Sequence, residues 1–248
     1  MLSSLFCTLL YWNNKWKIHN ISKEYMKKNV WSILIKLALV SIGISGIIVT
    51  YVSAGFMSGG TTFLYFTIQS NITIIAITAI YLVDAIGVLR GREPYRNQIL
   101  RHIKLSFTVA ITITFIVFVT LLAPITGVTY FFSYSNFSLH IIVPILAILD
   151  YFLFDTDIKI FKLSFLVGTA MPVYYFFFYL IGRAAGFTYL NGDKAPYFFL
   201  DFEKYGWFSV SSEGIGVFYW VTILLVFAAL LGLMYALLMK LRQKKISQ

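Results

Sequence analysis

Six long apolar stretches divide this chain, at residues 30–56, 63–89, 105–125, 139–154, 160–181 and 215–239, and the segments between them alternate between strongly basic and nearly uncharged. Most of the stretches reach the ~20 apolar residues needed to cross ~30 Å of hydrocarbon. The fourth is the shortest and is expected to extend into its flanking turns. Lys15, Lys17, Lys23, Lys27 and Lys28 precede the first stretch against a single Glu24. Arg90, Arg92, Arg96, Arg101 and Lys104 lie between the second and third against Glu93, and Lys240, Arg242, Lys244 and Lys245 close the chain. Residues 59–62 and 126–138 carry no charge at all. Because cytoplasmic loops collect Lys and Arg, the pattern predicts a polytopic six-helix transmembrane bundle of the plasma membrane, all-α, with both termini cytoplasmic.

The chain is 59% hydrophobic and 12% charged, a balance no water-soluble domain of this length would present on its surface. The net charge of +10 is therefore the positive-inside bias plus a basic tail suited to anionic headgroups, and no nucleic-acid partner is expected. A lone Cys7 excludes an intrachain disulfide and a cysteine metal cage. The first dozen residues lack a basic leader and a small-residue cleavage site, and Trp12 and Trp16 suit a retained interfacial segment. No repeat or linker interrupts residues 1–248, so a single integral membrane domain is expected. Continuous rather than alternating apolar runs make the spans helices, not barrel strands.

Ser41, Ser45 and Gly46 in the first span would let a neighbouring helix come close. Pro172 should kink the fifth span. The connection at residues 183–214 is longer than a simple turn requires, and such loops are commonly functional. Asp84 and Asp150 are expected to pair with loop arginines such as Arg90 or Arg92. The aromatic clusters at residues 130–132 and 174–179 read as an interfacial belt or lipid-facing surface.

The polar residues at the uncharged ends of the spans carry the chemistry. Thr67, Gln69, Ser70 and Asn71 lie one to two turns inside the second span, with Thr67 and Asn71 on one helix face. Helix–helix hydrogen bonding is the plain alternative for all four. His19 and His102 fall in basic segments that favour solvated surface, whereas His140 stands at the mouth of the fourth span, where a helix N-terminus would keep its ring available as a base. An interfacial histidine bonded to a loop carbonyl or headgroup is its alternative. A hydroxyl and a histidine on one membrane face suit acyl transfer: Thr67 would attack an ester carbonyl and His140 would take its proton. Asn71 is a candidate oxyanion donor and Asp201 a candidate orienting group for His140. Gln69, Ser70, Pro196 and Tyr197 are candidate cavity-lining residues. One histidine on that face with scattered carboxylates makes no metal set, and no cofactor is expected.

Three segments together carry a resemblance: residues 65–71 (YFTIQSN), 139–154 (LHIIVPILAILDYFLF) and 195–201 (APYFFLD). The combination resembles the bacterial Pr-six-Pr integral membrane protein family, related to the androgen-induced and androgen-dependent TFPI-regulating (ADTRP) membrane threonine hydrolases. That resemblance implies six spans and cleavage of fatty-acid esters by one threonine and one histidine, roles that fall on Thr67 and His140. A membrane hydrolase of a lipid or fatty-acyl ester, with its site toward the extracytoplasmic face, is the resulting expectation. A non-enzymatic binder or transporter of a small lipophilic molecule, and a structural or partner-binding membrane protein, are the alternatives.

Overall fold

The computed structural model describes residues 2–55, 59–95, 97–155, 158–161, 163–212 and 214–246, with side chains from residue 26 onward except at 126 and 246. The readings placed on Cys7, Trp12, Trp16, His19 and the first lysines concern side chains outside that set, and Arg96 also lies outside it. Among the described residues, six helices are long and apolar enough to cross a membrane. They are α1 (Leu2–Ser53, of which Met26–Ser53 is the apolar part), α2 (Phe66–Leu89), α3 (Gln98–Ile125), α4 (Tyr134–Phe154), α5 (Ser164–Ala184) and α6 (Val217–Ile246). A two-stranded hairpin, β1 (Val210–Ser211) with β2 (Gly214–Ile215), sits before α6. Exposed residues such as Ile48, Val52, Val83, Phe177, Ile181 and Leu230 make the outside of the bundle apolar, as a lipid-facing surface requires.

α3 is the central element: residues 108–114 are all buried, and it packs on α2, α4, α6 and the start of α5. α1 turns a seam of Ser32, Lys36, Leu39, Gly43 and Gly46 inward, at alternating spacings of four and three. A side chain at Gly46 would run into Ser138 and Leu139 of α4, so the close approach expected there occurs. Ser45 bonds the Tyr134 hydroxyl at 2.7 Å, whereas Ser41 is exposed and takes no part. α5 and α6 meet backbone to backbone, since a Cβ on Gly168 or Gly232 would strike the facing main chain.

Each internal proline follows a turn that is not α-helical. A proline lacks the N–H that would bond the carbonyl four residues back, and its ring crowds that carbonyl. For Pro124 the residue four back is Thr120, inside a π turn at Phe118–Leu122. For Pro144 it is His140, inside a second π turn at Ser138–Ile142. For Pro172 it is Gly168, inside the 3-10 turn Ser164–Thr169 that opens α5. Pro172 therefore stands in the first α-helical turn of its span, and the irregularity lies before it rather than at a mid-span kink.

Lys159 donates its N–H to Gln98 Oε1 at 2.8 Å, and Gln243 Nε2 reaches the Ile158 carbonyl at 2.7 Å. The α2–α3 loop, the α4–α5 loop and the tail of α6 thus share one end of the bundle, which carries most of the basic residues. Asp84 pairs there with Arg92 at 2.7 Å, as expected. Asp150 does not pair with a loop arginine. It lies between Lys36 of α1 and Lys104 of α3, 2.6 Å from each, and Lys104 also reaches Asp155 at 2.5 Å. Lys104 belongs to the buried core because α3 begins at Gln98, seven residues before the apolar run that marked it in the sequence. His102 is half-buried rather than solvated, with Nδ1–H on the Gln98 carbonyl and its ring against Phe161.

Candidate functional site

At the opposite end, α2 opens at Phe66, with Tyr65 in extended conformation before it. Thr67 is thus the second residue of the helix, not one to two turns inside. Its hydroxyl lies 3.3 Å from Nε2 of His140, across 73 residues of sequence. Both side chains are buried.

His140 is six residues into α4, so the expected helix-terminus effect does not reach it. Three local features fix the ring instead. Nδ1–H is donated to the Asn136 carbonyl at 3.1 Å, which leaves the Nε2 lone pair directed at Thr67. Phe118, from the π turn of α3, stacks on the imidazole with centroids 3.9 Å apart and planes within 19°. The second π turn then re-routes the backbone bonds: the Val143 N–H bonds the Ser138 carbonyl, five residues back. That shift releases the Leu139 carbonyl, which accepts from Asn71 Nδ2 at 3.1 Å. A proline at 144 thereby leads to a carbonyl that ties α4 to α2 beside the two functional groups.

Asn71 does not serve as the expected oxyanion donor. Its amide nitrogen is committed to the Thr67 carbonyl at 2.8 Å and to Leu139, and its side chain is fully enclosed. It holds the main chain at Thr67 against the main chain next to His140. Asp201 does not orient His140 either: it caps the short helix Phe202–Tyr205 by accepting from the Lys204 N–H at 3.1 Å. The Asn136 carbonyl occupies the orienting position.

An apolar cavity of about 670 Å³, counting its open mouth, adjoins Thr67. α3, α5, α6 and the α5–α6 loop wall it through residues such as Ile113, Val117, Tyr175, Phe199, Leu200 and Leu224. Thr67 connects the two halves of the site, because it lines the cavity and touches His140, which does not line it. Of the expected lining residues only Tyr197 does so. Gln69 turns to the Phe63 carbonyl, Ser70 bonds Thr114 Oγ1 at 2.8 Å, and Pro196 is buried away from the cavity. Tyr197 comes from the long loop and accepts the Thr67 N–H at 3.3 Å, with its hydroxyl 3.5 Å from Thr67 Oγ1. Burial pushes the Tyr197 phenol up to about 12, so it stays neutral.

The loop is held down by tyrosines from below. Tyr179 donates to the Leu200 carbonyl at 2.7 Å, and the Leu190 N–H donates to the Tyr65 hydroxyl at 3.3 Å. The aromatic run at residues 174–179 is therefore divided: Tyr174 and Phe177 face outward as expected, but Tyr175 and Tyr179 are buried under the loop. Among the described residues, no group of three or more His, Cys, Asp or Glu comes together to hold a metal. Comparison with protein-family models, with curated proteins and with solved structures finds no match for this chain. The site has to be read from its own geometry.

Proposed function

We propose that the protein is a membrane-embedded hydrolase of lipid or fatty-acyl esters, with Thr67 as nucleophile and His140 as base. The contact between Thr67 Oγ1 and His140 Nε2, at the head of an apolar cavity, is the observation that carries this reading. A threonine hydroxyl attacks only when a neighbouring base removes its proton. Nε2 has the lone pair for that task because Nδ1 is already committed to Asn136. The apolar walls suit a hydrocarbon tail whose ester end meets Thr67. Attack would transfer the acyl group to Thr67 Oγ1, His140 would pass the proton to the leaving alcohol, and water would release the acid by the same route. The threonine–histidine pairing implied by the Pr-six-Pr and ADTRP resemblance points the same way. Purified protein should release fatty acid from a panel of lipid esters. Thr67→Ala and His140→Ala should each lose at least ~10³-fold, the double variant should lose little more, and Thr67→Ser should keep measurable turnover. Unchanged release by Thr67→Ala would eliminate the mechanism. The same cavity also suits a non-catalytic lipophile carrier, and the absence of turnover with every ester would favour that reading.

The proposed setting is the plasma membrane with both termini cytoplasmic, which puts the Thr67 end outside. The support is the concentration of Arg and Lys at the other end. With Cys7 replaced by Ser, a membrane-impermeant thiol reagent should label Ser212→Cys in intact cells and spare Glu93→Cys. Labelling in the reverse pattern would invert the bundle.

A further inference from the structure

We infer that Tyr197 is a third catalytic residue, whose hydroxyl donates to the carbonyl oxygen of the ester as negative charge develops on it; this rests on the hydrolase reading above. The hydrogen bonds around Thr67 run in one direction, and following them locates the free donor. The Asn136 carbonyl takes the Nδ1 proton of His140, and Nε2 takes the proton of Thr67 Oγ1. On the other side, the Thr67 N–H is given to the Tyr197 oxygen at 3.3 Å. That bond occupies a lone pair of the phenol and leaves its proton unused. Among the described residues, the one acceptor within reach of that proton is Thr67 Oγ1 at 3.5 Å, too far for a good O–H···O bond. Thr67 Oγ1 is better used as donor to His140.

Tyr197 therefore offers a spare proton donor beside the nucleophile, in the wall of the cavity that would hold the acyl chain. Its ring is fixed, stacked on Phe199 with centroids 5.1 Å apart and planes within 5°, and met edge-on by Tyr65. A fixed dipole aimed at the place where charge appears costs no reorganisation during the reaction. The phenol is not acidic enough to surrender its proton, so it stabilises the oxyanion by hydrogen bonding and does not protonate it. As Thr67 Oγ1 bonds to the carbonyl carbon, the π pair moves onto oxygen and is held by Tyr197 O–H, while the threonine proton moves to His140. When the pair returns to re-form the carbonyl, the alcohol leaves with the proton from His140. Water then repeats both steps on the acyl-threonine, so ester plus water give acid plus alcohol. Asn71, with its amide on two main-chain carbonyls, has no donor left for this role.

Tyr197→Phe removes the hydroxyl and keeps the stacked ring. Measured on the best ester of the panel, kcat should fall by about 10²–10³-fold, the usual loss for one oxyanion donor, with KM within a factor of about three. Phosphonylation of Thr67 by a fluorophosphonate lipid probe should slow in parallel, because the probe places a developing oxyanion in the same position. The melting temperature should fall only slightly, because the one bond lost, from the Thr67 N–H, is long. If Thr67→Ala is inactive but Tyr197→Phe retains kcat, the inference fails and the Thr67–His140 reading stands. A rise in KM with kcat unchanged would likewise reduce Tyr197 to a wall of the cavity. Wild-type protein that cleaves no ester would overturn the parent reading, and the inference with it.

Discussion

Lys36, Lys104, Asp150 and Asp155 at one end of the bundle, and Thr67, His140 and Tyr197 at the other, are two polar groups set among the same helices, with α4 contributing to both. In the first, every charge is paired, although Asp155 Oδ2 meets Lys104 as an ion pair without a hydrogen bond. Each charge meets an opposite charge at 2.5–2.6 Å, Lys36 gains Ser32 at 2.7 Å, and Lys104 also lies over the Tyr81 ring. Two cations and two anions balance, and the cavity beside Thr67 does not include them. The second group holds no charge, the contacts among its three residues are 3.3–3.5 Å long, and one hydroxyl proton lacks a good acceptor beside an apolar space. Ionised groups in a membrane interior must be compensated almost completely. Neutral groups tolerate incomplete partnering, and incomplete partnering is what leaves room for a substrate. Burial and polarity alone would rank the charged quartet first as a functional site; the pairing of all its charges assigns it to holding α1, α3 and α4 together.

The widest separation between the two ends should appear in stability. Asp150→Asn leaves Lys36 and Lys104 facing each other with only Asp155 to offset them, so unfolding in mixed detergent should become easier by about 3–5 kcal/mol, the usual result of breaking a buried pair from one side. Thr67→Ala, although it should abolish ester cleavage, should lower stability by only about 1 kcal/mol, because the bond it breaks is long and neutral. Equal losses for the two variants would remove the distinction between the two ends. The smallest effect is expected on the loop surface. Glu203 pairs with Arg183 and Lys194, and the Lys194 hydrogen bond holds its carboxyl below the usual range. That contribution would be present at neutral pH and lost on acidification through the lowered value, but solvent screens an exposed pair. Glu203→Gln should leave melting temperature and turnover unchanged. A clear drop in melting temperature would mean that the loop is held from its rim rather than by Tyr65 and Tyr179 from beneath.

Continuous apolar runs and uncharged gaps were enough to read six helices, and residue type was enough to single out Thr67 and His140 as a pair. Neither reading needed long-range information. Lys104 was misread as a loop charge because the apolar run starts only at Leu105, and a helix can begin earlier than its hydrophobic stretch. The partners of Asp150 lie 114 and 46 residues away, and no spacing rule links them. The orienting group for His140 is a main-chain carbonyl, which every residue possesses, so the identity of Asn136 carried no signal. Phe118 was one apolar residue among many in its span. Pro144 was the missed clue: a proline four residues after a candidate histidine implies a displaced carbonyl at that histidine and a turn that departs from α geometry.

That turn makes the site depend on residue count as well as residue identity. A π turn accommodates one more residue than the α turn it replaces, and one residue corresponds to about 100° of helix rotation. Excising any one of the four residues that flank His140 in Ser138–Ile142 would swing the imidazole to another side of α4 while leaving every proposed catalytic residue in the chain. An ungapped alignment across this turn would match the histidine of a distant relative yet point it into a different neighbourhood.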